Sequence, residues 1–477
     1  MQTLTRRAFL KNSFAAPVAL SLPARLWAAA PGANSDIRVA VAGFGGRGKS
    51  HIGAFSKLPG VRLVALCDVD REILERQAEQ FRKRNQPIET CTDVRNLLDN
   101  KAIDVISTAT PNHWHALITV WACQAGKDVY VEKPVSHNVW EGRQAVLAAR
   151  RHNRIVQSGT QSRSDEALQQ ALAWVRAGNL GKIKIARGLC YKRRASIGKV
   201  DGPQPIPPNI DYDLWCGPAP KGPLMRKRLH YDWHWVWPTG NGDLGNQGIH
   251  QMDIARWALG KPALSPKVFS IGGRLGYVDD GETANTQMVV HDYGDALLIF
   301  EVRGLPAKSG AEAMDRYRGE SIGDVIECEG GYLSGTTVYD NEGKELRKFK
   351  GKGEEDHFAN FIKAVRSRKV ADLNADILEG HLSSALCHTG NISYRLGQQA
   401  EPDEIQATLK GDNAALDTLA RMEEHLAANG VDLKQSKLAL GPVLKMDPKK
   451  ERFIGNDKAN QLLTRNYRAP FVVPKKV

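Results

Sequence analysis

Apolar runs of strand length alternate with helical stripes over the first third of the chain. Residues 37–42 (Ile-Arg-Val-Ala-Val-Ala) form one such run, and helical spacing follows over 49–58. The pattern repeats as strand 61–67, helix 71–83, short helix 94–98, strand 104–109, helix 116–125, strand 128–131, another helix, and strand 155–159. Strands and helices in turn, joined by short loops, predict a parallel doubly wound sheet, with ligand groups at the carboxyl ends of its strands. Beyond residue 160 the rhythm changes. Candidate strands are 183–191, 267–274, 286–291, 296–301 and 324–329, more widely spaced. From 354 to 396 the pattern turns helical, with Phe358, Phe361, Ile362 and Val365 on one stripe. Residues 401–477 carry one clear helix, 413–429, in an irregular tail that wraps either the fold or a partner.

The first strand runs directly into Gly43-Phe44-Gly45-Gly46-Arg47-Gly48, which fits G-x-G-x-x-G between a strand and a helix. Gly43 permits the tight turn, Gly45 admits a pyrophosphate to the backbone, and Gly48 lets helix and strand pack closely. Free N–H groups at the helix start meet phosphate charge. Asp68 ends the second strand, twenty residues after Gly48, where a carboxylate accepts from ribose hydroxyls and repels a 2′-phosphate. The cofactor expected is NAD, and Arg47 and Arg71 leave NADP open. Two further segments fall at strand ends, Thr110-Pro111-Asn112-His113-Trp114-His115 and Glu132-Lys133-Pro134.

These three segments together resemble the Gfo/Idh/MocA oxidoreductase family, over roughly residues 36–400. The resemblance implies an α/β fold. A Rossmann domain spans 36–160, an α+β substrate domain with an open, mostly antiparallel sheet spans 161–400, and 401–477 is an extension. It implies that Lys133 lies beside the nicotinamide and the reacting carbinol, that Glu132 holds the nicotinamide ribose, and that Thr110, Pro111 and Asn112 line the cofactor edge. His115 either joins that edge or only packs. Gln161 and Arg163 follow the last strand toward the cleft, the first on the cofactor side and the second on the substrate side. Family members carry Asp and His four apart on one helix face. Here His250 matches the histidine, a residue suited to taking a hydroxyl proton, but Asn246 stands at the aspartate's position. Either Asp243 or Asp253 replaces it, or His250 works alone, or the chemistry has shifted. Trp237, in the run Trp233-His-Trp-Val-Trp237, either stacks on a sugar face or packs. Tyr191 and Lys192, in a basic stretch, either bind substrate or form a solvated face. No metal site is expected.

Composition narrows the classes. The 477 residues carry a net charge of +13, and the first 30 hold Arg6, Arg7, Lys11 and Arg25 with no acid. The charge is otherwise dispersed and no nucleic-acid motif accompanies it, so nucleic acid is not an expected partner. Seven cysteines without C-x-x-C spacing argue for free thiols rather than a disulfide framework. Residues 1–30 have a basic start with paired arginines, a short apolar stretch and an Ala-Ala-Ala end. They read as a signal peptide resembling a twin-arginine export signal, with a periplasmic address, the other reading being an ordinary secretory signal or an uncleaved anchor. No apolar run of the mature chain reaches membrane-span length. The functional expectation is an oxidoreductase moving hydride between a carbohydrate or cyclitol hydroxyl and a tightly bound NAD. The alternatives are a redox-neutral glycosidase or lyase working through a keto-sugar, and a non-catalytic sugar-binding protein. The resemblance also implies a homo-oligomer paired through the open sheet.

Overall fold

The computed structural model describes residues 36–477, so the export segment expected over 1–30 lies outside the described residues. The first sheet is wholly parallel, in the order β3-β2-β1-β4-β5-β6. Its strands are β1 Ile37–Ala42, β2 Val61–Cys67, β3 Glu89–Cys91, β4 Val105–Thr108, β5 Asp128–Val131 and β6 Val156–Ser158. Every residue of β4 and β5 is buried, as expected of strands covered by helices on both faces. The order reverses at β1, with β2 on one side and β4 on the other, which opens a crevice at their carboxyl ends. One boundary moves in a consequential way: the helix expected from 116 begins at Asn112, so Asn112–His115 form its first turn rather than a loop.

The second sheet contains all five expected strands: β7 Ile183–Tyr191, β8 Lys267–Gly273, β9 Thr286–Asp292, β10 Leu297–Arg303 and β11 Ile322–Cys328. Its pairs are antiparallel except β7 with β10. The inner face, with Ala186, Cys190, Phe300 and Val302, packs on the helices Gly248–Leu259 and Ile377–Arg395. The outer face, with Phe269, Ile271, Met288 and Ile299, is covered by the tail helix Asn413–Ala428 through Leu419, Met422 and Leu426. Burying each of those three side chains stabilises the docking by about 1.5–3 kcal/mol.

The tail therefore wraps its own fold. Leu438–Leu440 and Leu444–Asp447 add strands against β8, and Phe471, Val473 and Val477 enter the core of the first domain. The sheet face expected to pair between subunits is filled by this helix. The helix His357–Ser367 returns to the first domain, where Phe358 stacks on Tyr130 with ring centroids 4.5 Å apart. All seven cysteines are free, and only Cys91 is less than fully buried. Among the described residues no helix is long and apolar enough to cross a membrane.

Candidate active site

A cavity of about 760 Å³ opens at the carboxyl ends of the parallel strands and is closed from the opposite side by the second domain. Gly43 has a φ of +76°, and a Cβ there would lie 2.7 Å from the Thr110 backbone. A Cβ on Gly48 would lie 2.0 Å from the Gly43 carbonyl oxygen, so close packing of loop and helix requires glycine at both positions. A Cβ on Gly46 would meet nothing within 4 Å. Gly45, Gly46 and Arg47 line the cavity, which leaves an open backbone cradle of the kind a pyrophosphate fills. Asp68 stands on the cavity wall. One of its oxygens accepts from the Phe44 N–H (2.9 Å) and the other from the Asp70 N–H (3.0 Å). Burial pushes its carboxyl up, and each oxygen keeps a lone pair for a ribose hydroxyl. These features fit NAD. Within the glycine motif, read as a whole as a cofactor-binding loop, Phe44 and Gly48 do not line the cavity. The Phe44 ring is in the core and its N–H is spent on Asp68, while Gly48 serves packing.

Glu132 is the hub of the edge expected to face the nicotinamide. Its Oε1 accepts from Arg47 Nε (3.0 Å), His51 Nε2 (3.0 Å) and Gln161 Nε2 (3.1 Å). Burial pushes its carboxyl up, but the His51 hydrogen bond and the charges of Lys133 and Arg47 outweigh it and hold Glu132 well below the usual carboxylate range. His51 Nδ1 lies 2.8 Å from Ser107 Oγ, so donation from Nε2 to Glu132 leaves Nδ1 to accept from the hydroxyl. His51 escaped the sequence reading. Its signal was the spacing of four from Arg47, which puts both on one helical face. Lys133 Nζ donates to the Asn246 carbonyl at 3.0 Å. Burial lowers its pKa against the opposing pull of Glu132. The His115 ring nitrogens lie 2.7 Å from the Pro134 and Thr110 carbonyl oxygens, tying the two strand-end loops together. Thr110, Pro111 and Asn112 line the cavity, and Asn112 Nδ2 donates to Asn241 Oδ1 at 2.7 Å.

The substrate side departs from expectation. Asn246 and His250 do not share one helix. A short helix, Gly242–Gly245, ends at Asn246, and a new one begins at Gly248. Four glycines at 240, 242, 245 and 248 make that break affordable. Asn246 consequently meets Lys133 through its backbone carbonyl. His250 lines the cavity, and its imidazole makes no hydrogen bond with another described residue. Burial, then the Lys133 charge, lower its pKa to about 3, so it is a neutral base at physiological pH. Neither candidate carboxylate reaches it. Asp253 is locked to Arg163 at 2.7 and 2.9 Å and accepts from Ser383 Oγ at 2.6 Å, and Asp243 is locked to Arg194 at 2.8 and 2.7 Å.

Four expected substrate residues stand elsewhere or one step back. Arg163 is buried in its ion pair with Asp253 and does not enter the cleft. Tyr191 points to the outer face of the sheet, where its hydroxyl donates to Glu301 at 2.6 Å beside the tail helix, because alternation along β7 sends odd-numbered residues outward. Trp237 packs against Tyr394 and under the Arg395 guanidinium, 4.9 Å from its ring centroid. Lys192 does not line the cavity, but donates at 2.7 Å to Gln247, which does. The cavity wall instead gains Trp233, stacked on His234 at 3.6 Å, and Gln251, whose buried Oε1 has no partner among the described residues. Gln251 was findable as one turn beyond Gln247 on the same helix.

Comparison with known proteins matches this picture. Residues 37–160 match the NAD-binding Rossmann domain of the Gfo/Idh/MocA oxidoreductase family, and residues 174–305 match its C-terminal alpha/beta domain. The chain is 34% identical over 174 residues to a glycosyl hydrolase family 109 protein of Shewanella baltica (strain OS185), covering 32% of this chain and 38% of that protein. It is 25% identical over 295 residues to the uncharacterized oxidoreductase YrbE of Bacillus subtilis (strain 168), covering 57% of this chain and 74% of that protein. The fold is shared with the WlbA dehydrogenase of Bordetella pertussis, solved with NADH and UDP-GlcNAcA (TM-score 0.56, 20% identity, 75% of this chain and 94% of that one). It is also shared with levoglucosan dehydrogenase, solved with NADH and levoglucosan (TM-score 0.54, 19% identity, 74% and 95%). With both family domains present in order and a glycine cradle that fits the dinucleotide, this chain belongs to the Gfo/Idh/MocA family of oxidoreductases and takes NAD as its cofactor.

Proposed function

We propose that the protein oxidises a hydroxyl of a carbohydrate or cyclitol at the pair Lys133 and His250, with the cofactor retained between turnovers. The observation that carries this reading is an imidazole, without a hydrogen-bond partner among the described residues, and an ammonium, both half-buried and lining one cavity. Bound NAD supplies the hydride acceptor. Lys133, freed from the Asn246 carbonyl or sharing its protons with it, donates to the substrate oxygen and stabilises negative charge as it develops there. His250 takes the hydroxyl proton onto a free ring nitrogen. Trp233 offers an aromatic wall for the apolar face of a sugar ring. Residues 1–30 support periplasmic export by the twin-arginine route, where free NAD is scarce and a retained cofactor must be regenerated in place.

A second reading is a redox-neutral glycosidase, which oxidises, eliminates and reduces on one cofactor. It is favoured by the similarity to glycosyl hydrolase family 109 proteins and by the absence of a carboxylate on His250 among the described residues. One experiment separates the readings. Protein purified from the exporting cell without added cofactor is denatured and its nucleotide counted. Intact protein is then followed by absorbance as sugars and glycosides are added. About one nucleotide per chain with sugar-dependent reduction supports the oxidoreductase. Cleavage of a glycoside without net reduction supports the second reading. Empty protein that binds NAD weakly defeats retention in both.

A further inference from the structure

The wall over the adenosine half of the cavity does not come from the Rossmann domain. Asp68, Ile73 and Val94 face it from below, and Leu214, Trp215 and His230 face it from above. The upper residues belong to one excursion of the chain between β7 and the helix Gly242–Gly245. That excursion holds seven prolines between residues 203 and 223, which restrict its freedom even when it is undocked. It has a small core of its own in Ile210, Trp215, Cys216, Leu224 and Leu229, and Gln204 bridges to Leu224.

The excursion is fastened on both sides of the glycine loop. On the β2 side, Asp70 pairs with Ile210 as an antiparallel bridge. The Arg71 N–H donates to the Asn209 carbonyl (3.0 Å) and the Asp211 N–H to the Val69 carbonyl (3.3 Å). Asp70 adds side-chain contacts. Its Oδ1 accepts from Asn209 Nδ2 at 2.7 Å while capping the helix Arg71–Arg82, and its Oδ2 lies 2.9 Å from His230 Nε2. On the β4 side, the Trp215 carbonyl accepts from His113 Nε2 (3.0 Å) and Trp114 Nε1 (3.2 Å). A Cβ on Gly217 would lie 2.2 Å from the Trp114 ring, so no gap remains there. From outside, Arg468 of the tail donates to the Asp213 and Gly217 carbonyls at 2.7 and 3.1 Å.

We propose that residues 204–230 are a strap that holds the adenosine half of NAD, and that Asp70 is its latch through Asn209 and His230. The β4 side is buried, aromatic and buttressed by the tail, whereas His230 is exposed and the Asp70 contacts are polar, so release proceeds from the β2 side. The inference rests on the cofactor and not on the identity of the substrate.

The test is nucleotide release. The full protein is loaded with NADH and mixed with a large excess of NAD, and the fall of bound-NADH fluorescence gives the release rate. The double variant Asn209→Ala with His230→Ala is expected to release NADH at least tenfold faster than the unaltered protein. A rate within twofold overturns the latch. Because the variant can fail to fold, the unaltered protein is also followed by hydrogen exchange with and without NAD. Greater protection of peptides spanning 204–230 in the loaded form supports the strap, and equal exchange in both forms overturns it. Neither readout depends on turnover, so a wrong substrate assignment leaves both intact.

Discussion

The two ends of the catalytic cavity are built on opposite plans. At the edge expected to face the nicotinamide the polar side chains are largely held inside the protein: Glu132 takes three side-chain donors on one oxygen, His51 is held at both nitrogens, and the single N–H of neutral His115 lies between two carbonyl oxygens. At the substrate edge the His250 imidazole and the Gln251 carbonyl oxygen are left without one among the described residues. The first edge is finished before a ligand arrives. The second has one buried acceptor, Gln251 Oε1, and a half-buried imidazole, whose hydrogen bonds a hydroxylated ligand would complete. On the proposed function, a retained cofactor and an exchanging substrate call for these two plans respectively, since preorganisation lowers the cost of holding one ligand and unspent donors and acceptors recognise another.

The contrast can be broken from either side. Lys133 sits where the edges meet, so Lys133→Met should have the largest effect on chemistry. Sugar-dependent reduction of the bound nucleotide should slow by about 10³-fold, or about 4 kcal/mol, with nucleotide content unchanged. A loss under tenfold in stopped-flow absorbance would reduce Lys133 to a prop for the Asn246 carbonyl. On the finished edge, Glu132→Ala strands Arg47, His51 and Gln161 together and should cost about 3 kcal/mol of folding stability by denaturant titration. A cost below about 1 kcal/mol would mean that the cluster relaxes freely.

On the open edge, His250→Ala should lower the rate by about 10²-fold without destabilising the fold, with partial rescue by added imidazole. A non-catalytic binding protein would keep its full function. The pH profile sharpens the same point. His250 is lowered to about 3, so protonation, which removes the base, occurs only in acid, and the acid limb of kcat/KM should lie well below the ordinary histidine value of 6.5. An acid limb at 6.5 would show an imidazole in contact with water. The smallest effect is expected from Trp233→Ala, about 1 kcal/mol read as a several-fold rise in KM with kcat little changed, if the ring serves only as a sugar platform.

Much of the first domain was legible from sequence because its information is local. An apolar run, a glycine turn and a carboxylate at the next strand end lie within about thirty residues, and each part has a short-range physical reason. The five strands of the second sheet were equally visible as apolar runs. The substrate edge was not, and the misplaced residues explain why. Tyr191 was assigned by its place near a strand end, but the face it takes follows from the pairing of β7 between β10 and β11. Arg163 was assigned by its position after β6, but a carboxylate ninety residues away claims it. Asn246 and His250 were read on one helix, but the glycine-rich stretch around Asn246 breaks it before Gly248.

The family resemblance pointed to the Glu132-Lys133 pair, and the amino-acid sequence by itself determined the parallel domain, the glycine cradle and Asp68 at the end of β2. Each follows from neighbours in the chain and from the backbone freedom of particular residues. Only the tertiary structure decided that His51 and Gln161 share Glu132, that Lys133 reaches the Asn246 carbonyl, that a proline-rich excursion closes the cavity near Asp68, and that the tail fills the outer sheet face. Those outcomes depend on which distant groups are buried together. A buried donor takes whichever acceptor the packing brings within about 3 Å, however far away it lies in the chain.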